Sequence, residues 1–329
     1  MDVAVIIPTH NRTAYLLELL AALENQTLNP TRFQVVVVDN GSDGECRRAA
    51  AALKGCTPFR FSYLHEPVPG LHNARHAGMR AAECDLLVFA DDDIIPFDTW
   101  LEAICEAFAK PDVRLVGGKN LPLWETPPPR WLERMWSRQK GDRILGELSI
   151  LDLGELGRDI DASLVWGCNF AVSRTLLQEA GGFHPDGMPW ELIHLRGDGE
   201  THVSNYMSEK GYRAFYHPEA SVRHRVPKER MTLAYFKKRA YSQGISDSFR
   251  DLRISRGVLA AAGSSPKPGE IPRLWEAVRK ALGVGGGLSD RARVEKETAA
   301  AYRKGYGFHQ ALFTKDEKIR EWVLKTDYL

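Results

Sequence analysis

Residues 85–96 read Asp-Leu-Leu-Val-Phe-Ala-Asp-Asp-Asp-Ile-Ile-Pro, a strand-length apolar run that ends abruptly in three adjacent carboxylates. The run is too short for a helix and has no polar alternation, as expected of a strand covered on both faces. Working backwards, Val3 to Ile7 is a second such run and Gln34 to Val38 a third. Phe59 to Leu64 adds another strand, and Val113 to Val116 one more. Between them, Leu16, Leu19, Leu20 and Leu23 fall at i, i+3, i+4 and i+7 on one helical face. Helices are also predicted over Asn73 to Ala82 and Pro96 to Phe108. Alternating strands and helices predict an α/β fold around a mixed, mostly parallel sheet. Ligands of such sheets collect at the carboxyl ends of the strands, where this chain places Thr9-His10-Asn11-Arg12, Asp39-Asn40-Gly41-Ser42 and the acidic triplet.

Beyond residue 117 the pattern changes. Gly118 to Ile160 mixes Pro122, Pro127, Pro128 and Pro129 with Trp124, Trp131 and Trp136. Such an excursion reads either as a substrate-covering loop or as a surface flap packed by its own tryptophans. A strand is expected within Leu164 to Val172, then helices from Arg174 to Ala180 and from Gly199 to Lys210, the second closed by Gly211 as a C′ glycine. Two short strands follow, near Arg213 to Tyr216 and Ser221 to Arg225. Residues 226–329 read as a helical extension to a domain of 1–225, itself divided into a half whose strand ends carry the polar clusters (1–117) and a second half (118–225). Within the extension Gly283 to Gly287 is a break before a last helix from Ser289 to Lys304.

Composition excludes several classes. The 329 residues are 43% hydrophobic and 26% charged, which is globular rather than disordered. Lys plus Arg (44) balances Asp plus Glu (43), so no nucleic-acid partner is indicated. No apolar run approaches the roughly 20 residues of a membrane span. The first residues lack a basic region and cleavage site, so no signal peptide is expected. Five cysteines without a Cys-x-x-Cys pair suit reduced thiols in a cytoplasm. The excess of eight Lys/Arg over three Asp/Glu in residues 226–260 is local. There Lys237, Lys238 and Arg239 sit beside Tyr235, Phe236 and Tyr241. Two readings follow: a helix resting on the inner membrane face, or one packing on the domain of 1–225 or on a second subunit of a homodimer.

Three carboxylates in a row repel one another, and a fold accommodates them more readily where a cation sits. Oxygen ligands of this kind suit Mg²⁺ or Mn²⁺ bridging to phosphate oxygens. The alternative is a solvated acidic turn. Five blocks in order resolve the choice: Ile7-Pro-Thr-His-Asn-Arg12, Val38-Asp-Asn-Gly-Ser-Asp43, Gly70-Leu-His-Asn-Ala-Arg-His-Ala-Gly78, Phe89-Ala-Asp-Asp-Asp-Ile-Ile-Pro96, and Trp166-Gly-Cys-Asn-Phe-Ala-Val-Ser-Arg174 running on to Gly181-Gly-Phe183. Over residues 1–225 the chain thus resembles the family-2, inverting glycosyltransferases of the GT-A fold; the last hundred residues match only loosely.

The resemblance implies a single GT-A-like nucleotide-binding domain and a sugar transferred from a nucleoside-diphosphate donor, UDP-sugar being the family's commonest, to a hydroxyl of a glycan or lipid-linked acceptor. It implies that Pro8, Thr9, Asn11 and Arg12 form the first donor loop, with Asp39 accepting from the nucleobase and Asn40 and Ser42 shaping its turn. Arg75 approaches base and diphosphate; His76 stands where the family has asparagine and receives no role. Asp91 and Asp93 form the metal-binding pair, Asp91 also facing the ribose, and Asp92 is grouped with the donor-binding residues. Gly167 and Asn169 lie under the donor sugar, and His224 joins the metal or diphosphate.

The family's Glu-Asp block is altered. Eleven residues before Gly211 the aspartate position holds Glu200, and Asp198 is displaced from the usual pair. Inverting chemistry needs a carboxylate to take the acceptor's proton, so Glu200 is the first candidate base and Asp198 the second. Glu200 as a mere helix N-terminal acid is the bland alternative. Two other enzyme classes fall away: no Gly-x-Gly-x-x-Gly follows the first strand, as a dinucleotide-binding oxidoreductase requires, and its loop lacks the glycines of a nucleotidyltransferase. A donor-binding scaffold that has lost catalysis stays open, with Asp39, Asp91, Asp93 and Glu200 counting against it.

Overall fold

All seven residues of strand β1 (Val3–Thr9) are buried. Continuous rather than alternating burial requires cover on both faces. The computed structural model, which describes residues 2–136, 141–258 and 288–329, supplies that cover. After β1 come α1 (Thr13–Leu23), β2 (Phe33–Asp39), α2 (Glu45–Leu53), β3 (Arg60–His65), α3 (Leu71–Ala81), β4 (Leu86–Ala90), β5 (Ile94–Pro96), α4 (Trp100–Phe108) and β6 (Val113–Gly117). Next are β7 (Asn120–Trp124), α5 (Arg130–Met135), β8 (Arg143–Leu145), β9 (Ile150–Asp152), β10 (Arg158–Ile160), β11 (Asn169–Ser173) and α6 (Arg174–Glu179). The chain ends with α7 (Thr201–Glu209), β12 (Arg213–Tyr216), β13 (Val222–Val226), α8 (Leu233–Ser255), α9 (Leu288–Lys315) and α10 (Glu317–Leu324).

Eight strands form the main sheet in the order β10-β12-β6-β11-β4-β1-β2-β3. The block β4-β1-β2-β3 is parallel throughout, and β11 runs antiparallel between β4 and β6. The sheet is therefore mixed and mostly parallel, the GT-A-like α/β class read from the sequence. The leucine face of α1 (Leu16, Leu19, Leu20, Leu23) packs into one core layer with Val3, Val5, Val35 and Val37; Ala74 and Met79 of α3 pack into the other with Ile6 and Val38. Parallel register aligns Thr9 with Asp39, and Asp39 with His65, so these strands deliver their polar ends to one edge.

At that edge lies a second sheet, β5-β13-β7-β9-β8, that the sequence reading did not resolve. It absorbs the proline- and tryptophan-rich excursion. Strands of three residues carry no readable period, and their pairing is with distant partners. Leu132, Trp136, Leu145, Leu148 and Ile150 form a core of their own with Val226, Met231 and Phe236. The ring of Trp131 meets Phe236 edge-on at 5.2 Å. Pairing of β5 with β13 sets His224 opposite Ile94, immediately after the acidic triplet.

The C-terminal helices pack against the rest of the chain. Ser246 on α8 donates to the Gly197 carbonyl at 2.7 Å, and the Trp322 indole donates to the Leu195 carbonyl at 2.8 Å. On α8 Phe236 is buried, whereas Lys237 pairs with Glu297 at 2.9 Å and Lys238 lies over the Trp190 ring. The glycine break at 283–287 lies outside the described residues. α8 and α9 cross through two glycines: a Cβ on Gly244 would sit 2.2 Å from the Tyr302 carbonyl oxygen, and one on Gly305 would sit 2.0 Å from that of Tyr241. Helical Gly→Ala ordinarily stabilises by up to about 1 kcal/mol. At residue 244 the sign should invert. Gly244→Ala is expected to cost about 1–3 kcal/mol by overpacking, while Gly307→Ala, with nothing within 4 Å, should be neutral or stabilising. Thermal unfolding of the two variants side by side checks this.

Candidate active site

The loop after β1 and the acidic triplet are tied together. Thr9 Oγ1 donates to Asp92 at 2.8 Å, and Arg12 Nη1 reaches Asp92 at 2.9 Å and Asp93 at 3.1 Å. Asp92 is buried, and burial pushes its carboxyl up to about 6 against the pull of Arg12. Its two oxygens are used inside the protein, so Asp92 fastens loop to loop instead of facing a donor. Pro8 is buried in β1, opposite Val38.

The loop after β2 is similarly braced. Asn40 donates from Nδ2 to the carbonyls of Glu66 (3.0 Å) and Val68 (2.7 Å) and accepts from Gly70 N at 3.0 Å. Asn11, with φ of 53°, donates its N–H to Ser42 Oγ at 2.9 Å and accepts from Asp43 N at 3.0 Å. Asp39 accepts from Ser42 N at 2.8 Å and from the Tyr63 hydroxyl. Burial would raise Asp39, but these bonds hold its carboxyl below the usual range. Tyr63 carries no motif that marks it in the sequence.

Asp91, Asp93 and His224 each bring one ligand atom to within 4.8 Å of the others. His224 Nδ1 lies 2.9 Å from the Leu148 carbonyl, which only accepts, so Nδ1 carries a proton. Nε2 then faces Asp93 Oδ1 at 3.3 Å, and that buried oxygen has no hydrogen-bond partner. A lone pair opposed to a carboxylate oxygen is a geometry that a cation between them satisfies. The oxygen and imidazole donors fit Mn²⁺ or Mg²⁺. Arg230, which no sequence spacing singled out, donates from Nη2 to Asp93 Oδ2 at 2.8 Å and from Nη1 to His224 Nε2 at 3.3 Å. Burial opposes ionisation of Asp93, yet the positive charges against it, Arg230 and Arg12, hold its carboxyl well below the ordinary range.

Arg75 joins this cluster to Glu200. Its guanidinium is 2% exposed and reaches Asp91 Oδ1 and Glu200 Oε2, each at 3.5 Å. Below it lies the Phe183 ring, 5.2 Å from the guanidinium carbon. His76, pushed down to about 3 by burial, is neutral and accepts from Phe183 N at 2.8 Å, which fixes that shelf. Glu200 stands at the N-cap of α7 without a side-chain capping bond, and instead accepts from Gly167 N at 3.1 Å. Gly167 has to be glycine on grounds of space: a Cβ there would lie 2.2 Å from Arg75 Nη2.

Two expected site residues are placed elsewhere. Asp198 bonds His184 Nδ1 at 2.5 Å, and His184 stacks on His202 at 3.6 Å. Burial would raise the Asp198 carboxyl, but His184 draws it down to about 2. It is a buried partner of His184, two residues from Glu200. Asn169 is bonded inside the core: it donates to Asn120 Oδ1 (3.1 Å) and the Ala220 carbonyl (3.0 Å), and accepts from the Trp100 indole at 2.9 Å. It cross-links β11, β7 and α4, with both amide N–H groups used inside the protein.

A mixed, mostly parallel sheet thus carries at one edge an acidic cluster completed by a histidine, with the Glu200 carboxylate beside it. The profile of Glycosyl transferase family 2 matches residues 4–181, more than half of the chain, and the chain belongs to that family. It is 26% identical over 214 residues to the succinoglycan biosynthesis protein ExoM of Rhizobium meliloti, covering 65% of this chain and 63% of that one. It is 25% identical over 225 residues to the O-antigen chain rhamnosyltransferase RfbN of Salmonella typhimurium, covering 68% and 66%. With glycosyltransferase AglE of Haloferax volcanii it shares 30% over 116 residues, 35% of this chain and 38% of that one. The chain thus spans less than two thirds of each relative. The mannosyltransferase PcManGT from Pyrobaculum calidifontis, solved with GDP-Man and Mn²⁺, shares the fold, with a TM-score of 0.55 at 20% identity over 98% of this chain and 83% of that one.

Gly167→Ala should push Arg75 off Glu200 while leaving the core intact. Sugar transfer is expected to fall on the order of 10²-fold, the scale of a small misplacement at a reacting centre, with the thermal midpoint little changed. Steady-state rates and a melting curve check it.

Proposed function

We propose that this chain transfers a sugar from a nucleoside-diphosphate donor, first among them a UDP-sugar, onto a hydroxyl of a glycan or lipid-linked acceptor, with inversion at the anomeric carbon. The observation that carries the reading is the guanidinium of Arg75 standing between Asp91 and Glu200, 3.5 Å from each. One carboxylate belongs to the cation cluster and the other is free of any capping role, so leaving group and acceptor can be served from opposite sides.

Glu200 takes the proton of the acceptor hydroxyl as that oxygen bonds to the anomeric carbon. The bond from the anomeric carbon to the diphosphate oxygen breaks, and its electron pair leaves with the nucleoside diphosphate. A Mn²⁺ or Mg²⁺ held by Asp91, Asp93 and His224 would supply positive charge to that leaving group. Arg75 keeps Glu200 aimed and, with Arg12, adds fixed positive charge in a place little screened by water. Asp39 would read the base at the end of β2, in a turn shaped by Asn40, Ser42 and Asn11. The GDP-Man and Mn²⁺ bound by PcManGT support the donor class and the cofactor.

Synthesis of a surface polysaccharide or related glycoconjugate is the setting that ExoM and RfbN suggest by name. Residues 1–225 would form the catalytic domain and 226–329 its helical extension. Among the described residues no helix is long and apolar enough to cross a membrane. A cytoplasmic enzyme, touching the inner membrane face through α8 where its acceptor is lipid-linked, is the arrangement proposed.

Glu200→Gln should keep nucleotide-sugar affinity and lose about 10²–10⁴ in transfer rate. Asp198→Asn should act on stability, since it loosens a buried pair. Donor consumption over a panel of UDP-, GDP- and dTDP-sugars, with acceptor and with or without chelator, is the measurement. Full transfer by Glu200→Gln overturns the mechanism, and full transfer in excess chelator overturns the metal.

A further inference from the structure

Arg230 lies on a short 3-10 turn, Lys228–Met231, between β13 and α8. The turn is fixed at its C-terminal end: Met231 is buried against the small core of Leu148 and Phe236, and Thr232 caps α8 by accepting from Tyr235 N at 3.2 Å. From this anchored backbone the guanidinium reaches back into the cation cluster. It touches two of the three candidate ligands at once, Asp93 Oδ2 at 2.8 Å and the His224 Nε2 lone pair at 3.3 Å. That lone pair is the one a divalent cation needs. Arg230 and such a cation therefore compete for one electron pair, and as like charges in a poorly screened place they repel.

The two arginines of the cluster differ in what else holds them. Arg12 shares Asp93 Oδ2 at 3.1 Å but keeps Asp92 at 2.9 Å as a second anchor. Arg230 has no other carboxylate within ion-pair distance among the described residues. When the cation seats, Arg12 can stay and Arg230 is the group that must let go. A planar guanidinium released beside a nucleoside diphosphate has a matching acceptor in the phosphate oxygens, which it grips with two parallel bonds.

We propose that Arg230 is a resident counter-cation of Asp93 and His224 that yields to the divalent cation and moves onto the donor's diphosphate, making cation and nucleotide binding depend on each other. It is a positioning residue as the structure stands, and it becomes a phosphate ligand once the donor binds. The proposal rests on the metal reading above. Because such coupling is reciprocal, each ligand should tighten the other by the same factor.

The test is Mn²⁺ binding to the full chain, read by the spin-resonance signal of free Mn²⁺, alone and with saturating UDP or GDP. Arg230→Gln is expected to bind Mn²⁺ alone about five- to ten-fold tighter than the wild type, a typical size for coupling of this kind. The same variant should lose much of the tightening that nucleoside diphosphate gives the wild type. Arg230→Lys, which keeps the charge without the fork, should restore weak binding of Mn²⁺ alone and only part of the coupling. Wild-type Mn²⁺ binding with Arg230→Gln unchanged in both respects overturns the proposal and leaves the metal reading standing. Absence of Mn²⁺ binding by the wild type, with either nucleotide, overturns both.

Discussion

Arg75 carries a full positive charge to a position where its side chain is 2% exposed, and a charge so placed needs partners. It finds two carboxylates, Asp91 and Glu200, contributed by chain segments more than a hundred residues apart. Much of the site's geometry follows from that requirement. Gly167 is bare because the guanidinium occupies the space of a side chain, and Phe183 presents its ring because a cation over an aromatic face is a tolerable burial. His76, held neutral by burial, anchors Phe183 in turn. A histidine at that position is thereby explained without any contact to a ligand.

The acidic triplet illustrates how one run of like residues is divided by backbone geometry. Neighbouring side chains leave the backbone in different directions, so Asp92 is fastened to Thr9 and Arg12, while Asp91 reaches Arg75 and Asp93 reaches His224 and Arg230. Its protonation is shifted up by burial, while Asp93, ringed by Arg12, Arg230 and His224, is shifted down. Three identical residues thus hold two different electrostatic states within a single turn. Mutual repulsion is relieved by this division as well as by any cation.

The helical extension shapes the site indirectly. α8 packs Phe236 against the Leu148 loop, whose carbonyl orients His224, and farther along binds Gly197 through Ser246. It therefore braces both the histidine of the cation cluster and the segment leading into Glu200. The close α8–α9 crossing at Gly244 and Gly305 stiffens that brace, since backbones that approach so nearly leave little room to slide.

By itself the sequence determined the layered α/β plan and the edge of the sheet where the site lies. Strands buried on both faces must be continuously apolar and the covering helices must carry a 3.6-residue stripe, and both are local properties that β1, β2, β4 and α1 display openly. It also brought Asp39 and the Asp91–Asp93 triplet to attention, because polar clusters at strand ends stand out from their surroundings, whereas Glu200 was found only by the family resemblance, counting back from Gly211. Only the tertiary structure decided which way each side chain turned. Asp198 and Glu200 are two residues apart, yet one is sealed against His184 and the other meets Arg75. Asn169 sits in a motif that suggests a sugar ligand, but its amide is buried and bonded to Trp100, Asn120 and Ala220. The second sheet was hidden because its three-residue strands are too short to show a period and take partners far along the chain. Arg230 was hidden for the same reason: it meets Asp93 across 137 positions, and no local pattern records a contact that exists only once β5 and β13 have paired.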